Sequence, residues 1–146
     1  MSQLDFNWIV PNLAQGSYPK PVALGFSQFN IIVFCAEELQ PRTAPPRGKM
    51  MYKIPLDDDI YRPVPREVGE VLHANAKSIA SHHLQGHPTL VTCAQGLNRS
   101  GIMSGLILMY AYRMPGKEAV RLIQSRRKDA LCNPMFEQYL LTTRLR

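Results

Sequence analysis

Apolar residues along this chain follow two different spacings. Short runs rich in β-branched and aromatic residues occupy positions 8–14, 31–35, 50–54 and 89–92, and we predict that each is a strand. The second run, Ile-Ile-Val-Phe-Cys, is apolar at every position, which is typical of a strand buried on both faces. We predict that the third run ends at Pro55.

The other apolar residues recur at helical spacing. Between residues 66 and 84 this spacing predicts an amphipathic helix that Gly86 and Pro88 stop. Its apolar positions are Val68, Val71, Leu72, Ala76, Ile79 and Ala80. We predict further helices at residues 99–112, 116–127 and 134–144, and a short helix, entered through prolines, within residues 19–29.

Two proline-bearing segments connect these elements. For residues 37–49 we predict an irregular, solvated connector, with a rim that faces the substrate as the alternative. Residues 56–65 read as an acidic loop bounded by proline. Strands that alternate with helices predict an α/β fold in a single domain over residues 1–146, with a central, mainly parallel sheet of about four to five strands flanked by helices on both faces.

The composition fits one compact, cysteine-poor domain. The 146 residues are 45% hydrophobic and 19% charged, and their net charge of +6 suits acidic or phosphorylated partners. Cys35, Cys93 and Cys132 form no even disulfide framework, and the first residues contain no basic leader or apolar signal core, so we expect an intracellular, reducing, cytoplasmic setting. The longest apolar stretch, residues 102–112, is too short to cross a bilayer, and we expect no membrane partner.

One nine-residue segment carries the clearest chemical pattern. Residues 93–101 read C-A-Q-G-L-N-R-S-G and lie between an apolar run and a helical one. Backbone amides of a tight turn, the positive end of the next helix and the guanidinium of Arg99 would converge on an anion. In that field we expect Cys93 to be a thiolate, although a free cysteine with a pKa near 8.5 is only about 3% ionised at neutral pH.

The neighbours of the cysteine and arginine make a chance pattern improbable. With Gly96, Ser100 and Gly101 also in place, the coincidence is on the order of one in ten thousand. Both glycines suit a positive φ or a close backbone approach. The sequence therefore predicts a phosphate-binding loop with a nucleophile at its base.

This segment resembles the signature loop of the cysteine-dependent protein phosphatases, H-C-x2-G-x2-R-[S/T]-G, in its dual-specificity branch. Weaker similarities are the I-x-P-x-L-x-x-G-S pattern at residues 9–17 and N-P-x-F at residues 133–136. The resemblance implies a protein tyrosine phosphatase-like fold, no metal or other cofactor, and a phosphorylated protein or peptide as substrate.

The resemblance also implies hydrolysis through a phosphocysteine intermediate. Cys93 would attack phosphorus while backbone amides and Arg99 hold the phosphate oxygens. The phosphate-binding positions would be Ala94, Gln95, Gly96, Leu97, Asn98 and Arg99. Ser100 would donate a hydrogen bond to the departing sulfur, or cap the helix that begins there.

The leaving oxygen needs a proton, and three adjacent carboxyl groups could supply it: Asp57, Asp58 and Asp59. The residues alone leave the choice among them open. The family arrangement I-P-x-x-D matches I-P-L-D-D at residues 54–58, which implies that Asp58 is the general acid and makes Asp57 the next candidate.

Thr92 departs from the family pattern, which places histidine before the nucleophile. We expect an active enzyme with a shifted pH profile, because Cys93, Arg99 and Ser100 all remain, and a threonine hydroxyl can still hydrogen-bond to backbone groups of the loop. The basic residues Arg126, Arg127 and Lys128 stand at a predicted helix end, where they would favour the helix dipole, with contact to a second phosphate as the alternative.

We predict a phosphatase that acts on phosphotyrosine, with phosphoserine and phosphothreonine as further substrates. One alternative is an RNA 5′-phosphatase or triphosphatase, because the loop of RNA 5′-triphosphatases also carries an asparagine before the arginine and the charge of +6 is compatible with RNA. The other alternative is a non-catalytic module that binds a phosphorylated partner, although the nucleophile Cys93 is retained.

Overall fold

The computed structural model describes residues 4–25 and 27–146, and its centre is one five-stranded sheet. The strands are Phe6–Val10 (β1), Leu13–Gly16 (β2), Ile31–Ala36 (β3), Met50–Leu56 (β4) and Thr89–Thr92 (β5). They lie in the order β1-β2-β5-β3-β4. Only the β1–β2 pair is antiparallel, and the other three pairs are parallel, which confirms the prediction of a mainly parallel sheet.

Five α-helices complete the described part of the chain. They are Pro21–Gly25 (α1), Arg66–Leu84 (α2), Arg99–Tyr112 (α3), Gly116–Arg126 (α4) and Pro134–Thr142 (α5), with one turn of 3-10 helix at Glu37–Leu39. The bounds predicted for α2 and α3 are confirmed, and α4 and α5 end slightly earlier than predicted. The helix predicted within residues 19–29 is shorter, and Phe26, which that prediction included, lies outside the described residues.

Two strand predictions were wrong at prolines. The run at residues 8–14 is not one strand, because Pro11 and Asn12 make a turn that separates β1 from β2. Asn12 has a φ of 68°, a left-handed conformation that asparagine tolerates better than most residues. Conversely, β4 continues through Pro55 to Leu56. This is possible because β4 is an edge strand, where a missing N–H need not interrupt the ladder.

The two faces of the sheet are covered unequally. Along β3, Ile31, Val33 and Cys35 point into the larger apolar cluster, which includes residues from α2, α3, α4 and α5. Ile32 and Phe34 point to the other face, where the one-turn helix α1 contributes Leu24. Helices therefore flank both faces, as predicted, but nearly all of the helical cover lies on one of them.

This topology places the loop of residues 93–98 at the carboxyl end of the central strand. β5 ends at Thr92 and α3 begins at Arg99, so the loop joins a buried strand directly to a buried helix. Ligands of open α/β sheets bind at this edge. Within the described residues, every helix is too short or too polar to span a bilayer.

A buried histidine joins the helical layer away from this edge. His73 of α2 is 2% exposed, and its Nδ1 lies 2.6 Å from the hydroxyl of Tyr110 in α3. Its Nε2 lies 2.9 Å from Oγ1 of Thr143, just after α5. Burial, and secondarily the charge of Arg146, lowers the pKa of His73 to about 4.

We predict that His73 makes the free energy of unfolding depend on pH below about 6.5. Between pH 6.5 and pH 4 the unfolded chain binds a proton at this position and the folded protein does not. The contribution of His73 to the free energy of unfolding is therefore complete above pH 6.5. As the pH falls toward 4, the free energy of unfolding decreases by up to roughly 3 kcal/mol. Urea unfolding at pH 7 and pH 4.5 should show a smaller difference in His73→Gln than in the wild type.

The exposed residue His87 provides the matched control for this measurement. His87→Asn should keep the wild-type difference in unfolding free energy between the two pH values. A wild-type difference in His73→Gln would contradict the role assigned to His73.

Candidate functional site

The loop at residues 93–98 forms the floor of an open pocket of about 250 Å³. The pocket is lined by Asp58, Cys93, Ala94, Gln95, Leu97, Asn98 and Arg99. All but two of the residues predicted for the site therefore line one pocket. The other two, Gly96 and Ser100, are in contact with these residues but lie behind the surface.

The backbone carbonyls of residues 94–97 all point away from this pocket, because each accepts a hydrogen bond from outside the loop. The donors are Tyr18 N to Ala94 O (3.3 Å), Arg127 Nη2 to Gln95 O (2.9 Å), Arg127 Nε and Gln15 Nε2 to Gly96 O (2.7 and 3.0 Å), and Leu131 N to Leu97 O (3.0 Å). The loop is thus surrounded by strand β2, the segment between β2 and α1, the end of α4 and the turn after α4.

The geometry of the peptide bond sets the direction of the loop N–H groups. In a trans peptide the N–H points opposite to the C=O of the same plane, and no described peptide bond is cis. The N–H groups of residues 95–98 therefore face the side of the loop opposite to the anchored carbonyls, which is the pocket side. Consecutive inward amides at the amino end of a helix, here α3, are an arrangement that suits an anion.

Gly96 allows the loop to lie against β2. Its φ is +73°, a conformation that favours glycine. A Cβ at this position would lie 2.3 Å from the carbonyl carbon of Gly16, so any other residue would push the loop off the strand. Gly101 meets the other predicted need, since its Cβ would lie 2.8 Å from Cδ2 of Leu131.

Cys93 is 4% exposed, and its sulfur lies 3.3 Å from the hydroxyl oxygen of Ser100. Ser100 itself is fully buried in the first turn of α3. A hydroxyl here can donate to a thiolate. Ser100 is the second residue of α3, inside the helix, and its hydroxyl contacts the Cys93 sulfur, so the sulfur contact is observed and the helix-capping role predicted beside it is wrong.

Arg99 is buried and uses one edge of its guanidinium for support. Nη1 and Nη2 bind the two carboxylate oxygens of Glu38, the second at 2.8 Å, and Nη1 also donates to Leu56 O at 3.1 Å. Nε has no protein partner among the described residues. Nε–H and the remaining Nη2 hydrogen share the other edge, which suits two phosphate oxygens.

This ion pair fixes the charge of both partners. The hydrogen bond from Arg99 lowers the pKa of Glu38 to about 2, and the same contact raises the pKa of Arg99. Both groups are therefore charged throughout the neutral range. Arg99 is held in place by a group that remains an anion at any pH at which the protein would work.

The structure separates the three adjacent aspartates. Asp58 lines the loop pocket, and its two carboxylate oxygens accept hydrogen bonds from Asn133 Nδ2 at 2.6 Å and Asn98 Nδ2 at 3.2 Å. Asp59 instead accepts from the backbone N–H of Tyr61 at 2.8 Å, and with Asp57 it lines a separate pocket beneath the acidic loop.

The hydroxyl of Thr92, which could have bonded to the loop, bonds to a neighbouring strand instead. Oγ1 donates to the carbonyl of Val33 in β3 at 2.8 Å, and the residue is fully buried. Successive strand residues point to opposite faces, so Thr92 points away from Cys93. The threonine reinforces the β5–β3 pair instead of the loop.

A family model described as the catalytic domain of dual specificity phosphatases matches residues 16–144. The chain belongs to the dual-specificity phosphatase family. Among the described residues, no three His, Cys, Asp or Glu side chains gather as ligands of a metal ion would. Family and fold together support a cysteine-based phosphatase.

Solved structures show the same fold at low sequence identity. Human DUSP28 is 20% identical with a TM-score of 0.74, over 95% of this chain and 92% of that one. Tk-PTP in its active form is 22% identical with a TM-score of 0.76, over 94% and 93% of the two chains. OH1 from the Orf virus is 22% identical with a TM-score of 0.72, over 94% and 84%. No curated protein sequence matches the chain.

The sequence prediction for this family member missed Glu38. It lies in the segment predicted to be a solvated connector, which contains a 3-10 turn directly after β3. Gln40 holds that turn, since its Nε2 donates to the carbonyls of Phe34 and Ala36 at 3.0 and 2.8 Å. The sequence signal that could have identified Glu38 is its position directly after β3. The carboxyl end of β3 lies beside that of β5, where ligands of such sheets bind.

Arg127 was also missed. Its neighbours Arg126 and Lys128 are exposed, but its own side chain is 7% exposed and hydrogen-bonds to the loop of residues 93–98. The alternative of contact with a second phosphate was wrong for Arg127, because its donors are already used. Three consecutive basic residues contain no signal that distinguishes the buried one.

We predict that Glu38→Gln weakens phosphate binding about tenfold. A neutral amide has one oxygen and no charge, so it cannot accept hydrogen bonds from both Nη1 and Nη2 of Arg99 as the carboxylate does. The measurement is the inhibition constant of orthophosphate against hydrolysis of a small aryl phosphate. Glu37→Gln removes the same charge from the neighbouring position and should stay within about twofold of the wild type. Equal changes in the two variants would show that net charge, not the contact with Arg99, is responsible.

Proposed function

We propose that this protein hydrolyses phosphomonoesters, foremost phosphotyrosine, through a phosphocysteine formed on Cys93. The observation that carries the proposal is the convergence on one pocket of the Cys93 sulfur, the inward amides of residues 95–98 and the free edge of Arg99. A phosphate dianion placed there meets donors on several oxygens and a nucleophile below the phosphorus.

In the first step the Cys93 thiolate attacks phosphorus and the bond from phosphorus to the ester oxygen breaks. The loop amides and Arg99 stabilise the three equatorial oxygens. Asp58 donates its proton to the departing oxygen, so that an alcohol or phenol leaves. The side-chain amides of Asn98 and Asn133 orient Asp58 toward the pocket, and each carboxyl oxygen retains a second lone pair for the reaction.

In the second step water attacks the phosphocysteine and the bond from sulfur to phosphorus breaks. The Asp58 carboxylate accepts a proton from the water. The Ser100 hydroxyl, 3.3 Å from the sulfur, donates a hydrogen bond to the thiolate as it forms. Inorganic phosphate then leaves, and both Cys93 and Asp58 return to their starting states.

The contacts of Asn98 give this residue a role that does not require an RNA substrate. Its Nδ2 donates to Asp58, and its Oδ1 accepts from the backbone N–H of Asn133 at 2.9 Å. Asn98, the position at which this loop is similar to that of RNA 5′-triphosphatases, thus uses both ends of its side-chain amide to orient the proposed acid. The Orf virus structure is described as a tyrosine phosphatase with triple substrate specificity, which supports more than one class of phosphorylated substrate without naming which.

The first test concerns the nucleophile. The wild-type protein should hydrolyse a small aryl phosphate in the presence of a chelator, with inhibition by vanadate, and Cys93→Ser should lower kcat by at least roughly a thousandfold. Release of phosphate from a phosphotyrosine peptide should exceed its release from RNA that ends in a 5′-triphosphate.

Cys132→Ser is the control, because it changes the exposed thiol near the same pocket without removing the nucleophile. It should keep turnover close to that of the wild type. Full activity in Cys93→Ser, or a requirement for a divalent ion, would contradict the mechanism. Faster turnover of the RNA would overturn the substrate assignment and leave the chemistry intact.

A second test identifies the acid. Asp58→Asn should lower kcat by roughly two orders of magnitude with an alkyl phosphate, whose leaving oxygen needs a proton, and much less with p-nitrophenyl phosphate. Asp57→Asn makes the same change one residue away and should have little effect on either substrate. If Asp57→Asn shows the large, leaving-group-dependent loss, Asp57 is the acid and the assignment is wrong by one residue.

A further inference from the structure

Arg127 connects the signature loop to the amino-terminal strand. The residue follows the last turn of α4, and its side chain is 7% exposed. All five N–H donors of a guanidinium have acceptors here. They are Gly96 O (2.7 Å) for Nε, Asn7 Oδ1 (2.9 Å) and Asp5 Oδ1 (3.4 Å) for Nη1, and Asp5 Oδ2 (2.9 Å) and Gln95 O (2.9 Å) for Nη2.

The loop side of this contact fixes two consecutive peptide planes. By holding the carbonyls of Gln95 and Gly96 outward, Arg127 sets the direction of the N–H groups of Gly96 and Leu97 toward the pocket. The planar guanidinium can bond to both carbonyls at fixed spacing, whereas a lysine ammonium offers a single flexible point. Arginine is therefore the residue type that this arrangement requires.

The other side of the contact belongs to β1 and the residue just before it. Asp5 supplies a carboxylate to the buried guanidinium, and Asn7 supplies an amide oxygen. Without Asp5 the buried guanidinium would lose its counter-ion, a loss that solvent partly offsets because the Asp5 side chain is 64% exposed. The hydrogen bond from Arg127 lowers the pKa of Asp5, in agreement with a charged pair.

Backbone packing brings β1 close to the loop through the same residues. The carbonyl of Asp5 accepts from Ser17 N at 3.1 Å, and a Cβ on Gly16 would lie 2.1 Å from that carbonyl oxygen. Gly16 in turn lies against Gly96. Asp5 and Asn7 precede residues 16–144, which the family model matches, whereas Arg127 and the loop lie within them.

We propose that Arg127 is a positioning residue for phosphate binding, and that Asp5 and Asn7 complete a latch through which the amino-terminal strand orients the amides of the signature loop. The inference rests on the proposed function, because those amides are the ones that would bind the substrate phosphate. Arg127 touches no reacting atom and acts through the peptide planes.

The test compares Arg127→Lys, Asp5→Asn and Asn7→Ala with Arg126→Lys, which makes the same exchange at the adjacent, exposed arginine. Arg127→Lys should raise the inhibition constant of orthophosphate and lower kcat/KM, each by roughly 10- to 100-fold. Asp5→Asn and Asn7→Ala should change both quantities in the same direction by about three- to tenfold. Arg126→Lys should stay within about twofold of the wild type.

The inhibition constant separates positioning from stability. A variant that only unfolds loses active molecules, which lowers kcat and leaves the orthophosphate inhibition constant unchanged. If Arg127→Lys is too unstable to purify, Asp5→Asn and Asn7→Ala still decide the question, since both residues are exposed on the surface. Wild-type inhibition constants in those two variants would overturn the latch.

A second measurement keeps the latch distinct from the proposed function. Iodoacetamide labelling of Cys93 should be slowed by orthophosphate, with labelling of the exposed Cys132 as the internal reference. Weaker protection in the latch variants supports the latch even if the wild type hydrolyses no phosphomonoester, in which case only the proposed function fails. Equal protection in all variants overturns the latch even if the wild type is an active phosphatase.

Discussion

The site depends on the outward orientation of four consecutive carbonyl groups. Residues 94–97 direct every C=O to a donor outside the loop, and the opposite N–H groups thereby face the pocket. The same segment in isolation would not hold all four of these N–H groups on one side, because a short loop has many conformations of similar energy. The surrounding elements select one of them, so the inward orientation of the amides does not depend on a bound anion.

A second constraint comes from Arg99, which connects the loop to the segments that carry Glu38 and Asp58. One edge of its guanidinium binds Glu38 after β3 and the carbonyl of Leu56 at the end of β4. Leu56 is two residues before Asp58, so the same short segment supplies a carbonyl to Arg99 and leads into the loop that carries Asp58. A preorganised site of this kind does not need to reorganise its dipoles during the reaction.

Local patterns predicted the parts of this molecule that are local in sequence. The bounds of α2 and α3 follow from apolar periodicity and from glycine and proline, and the loop from Cys93 to Arg99 is one continuous segment. The partners that orient the loop are distant: Gln15 is 81 residues from Gly96, and Arg127 is 31 residues beyond it. Which basic residue turns inward, or whether a proline lies on an edge strand, is decided by packing across the sheet.

The most direct test of the account is an orthophosphate titration followed by two-dimensional ¹H–¹⁵N NMR of the wild-type protein. If the anchored carbonyls orient the amides inward, the largest changes will be at the backbone N–H groups of Gln95, Gly96, Leu97 and Asn98, with the Nε–H of Arg99 responding at the same phosphate concentration. Changes confined to exposed basic side chains, with the four loop amides unaffected, would contradict it.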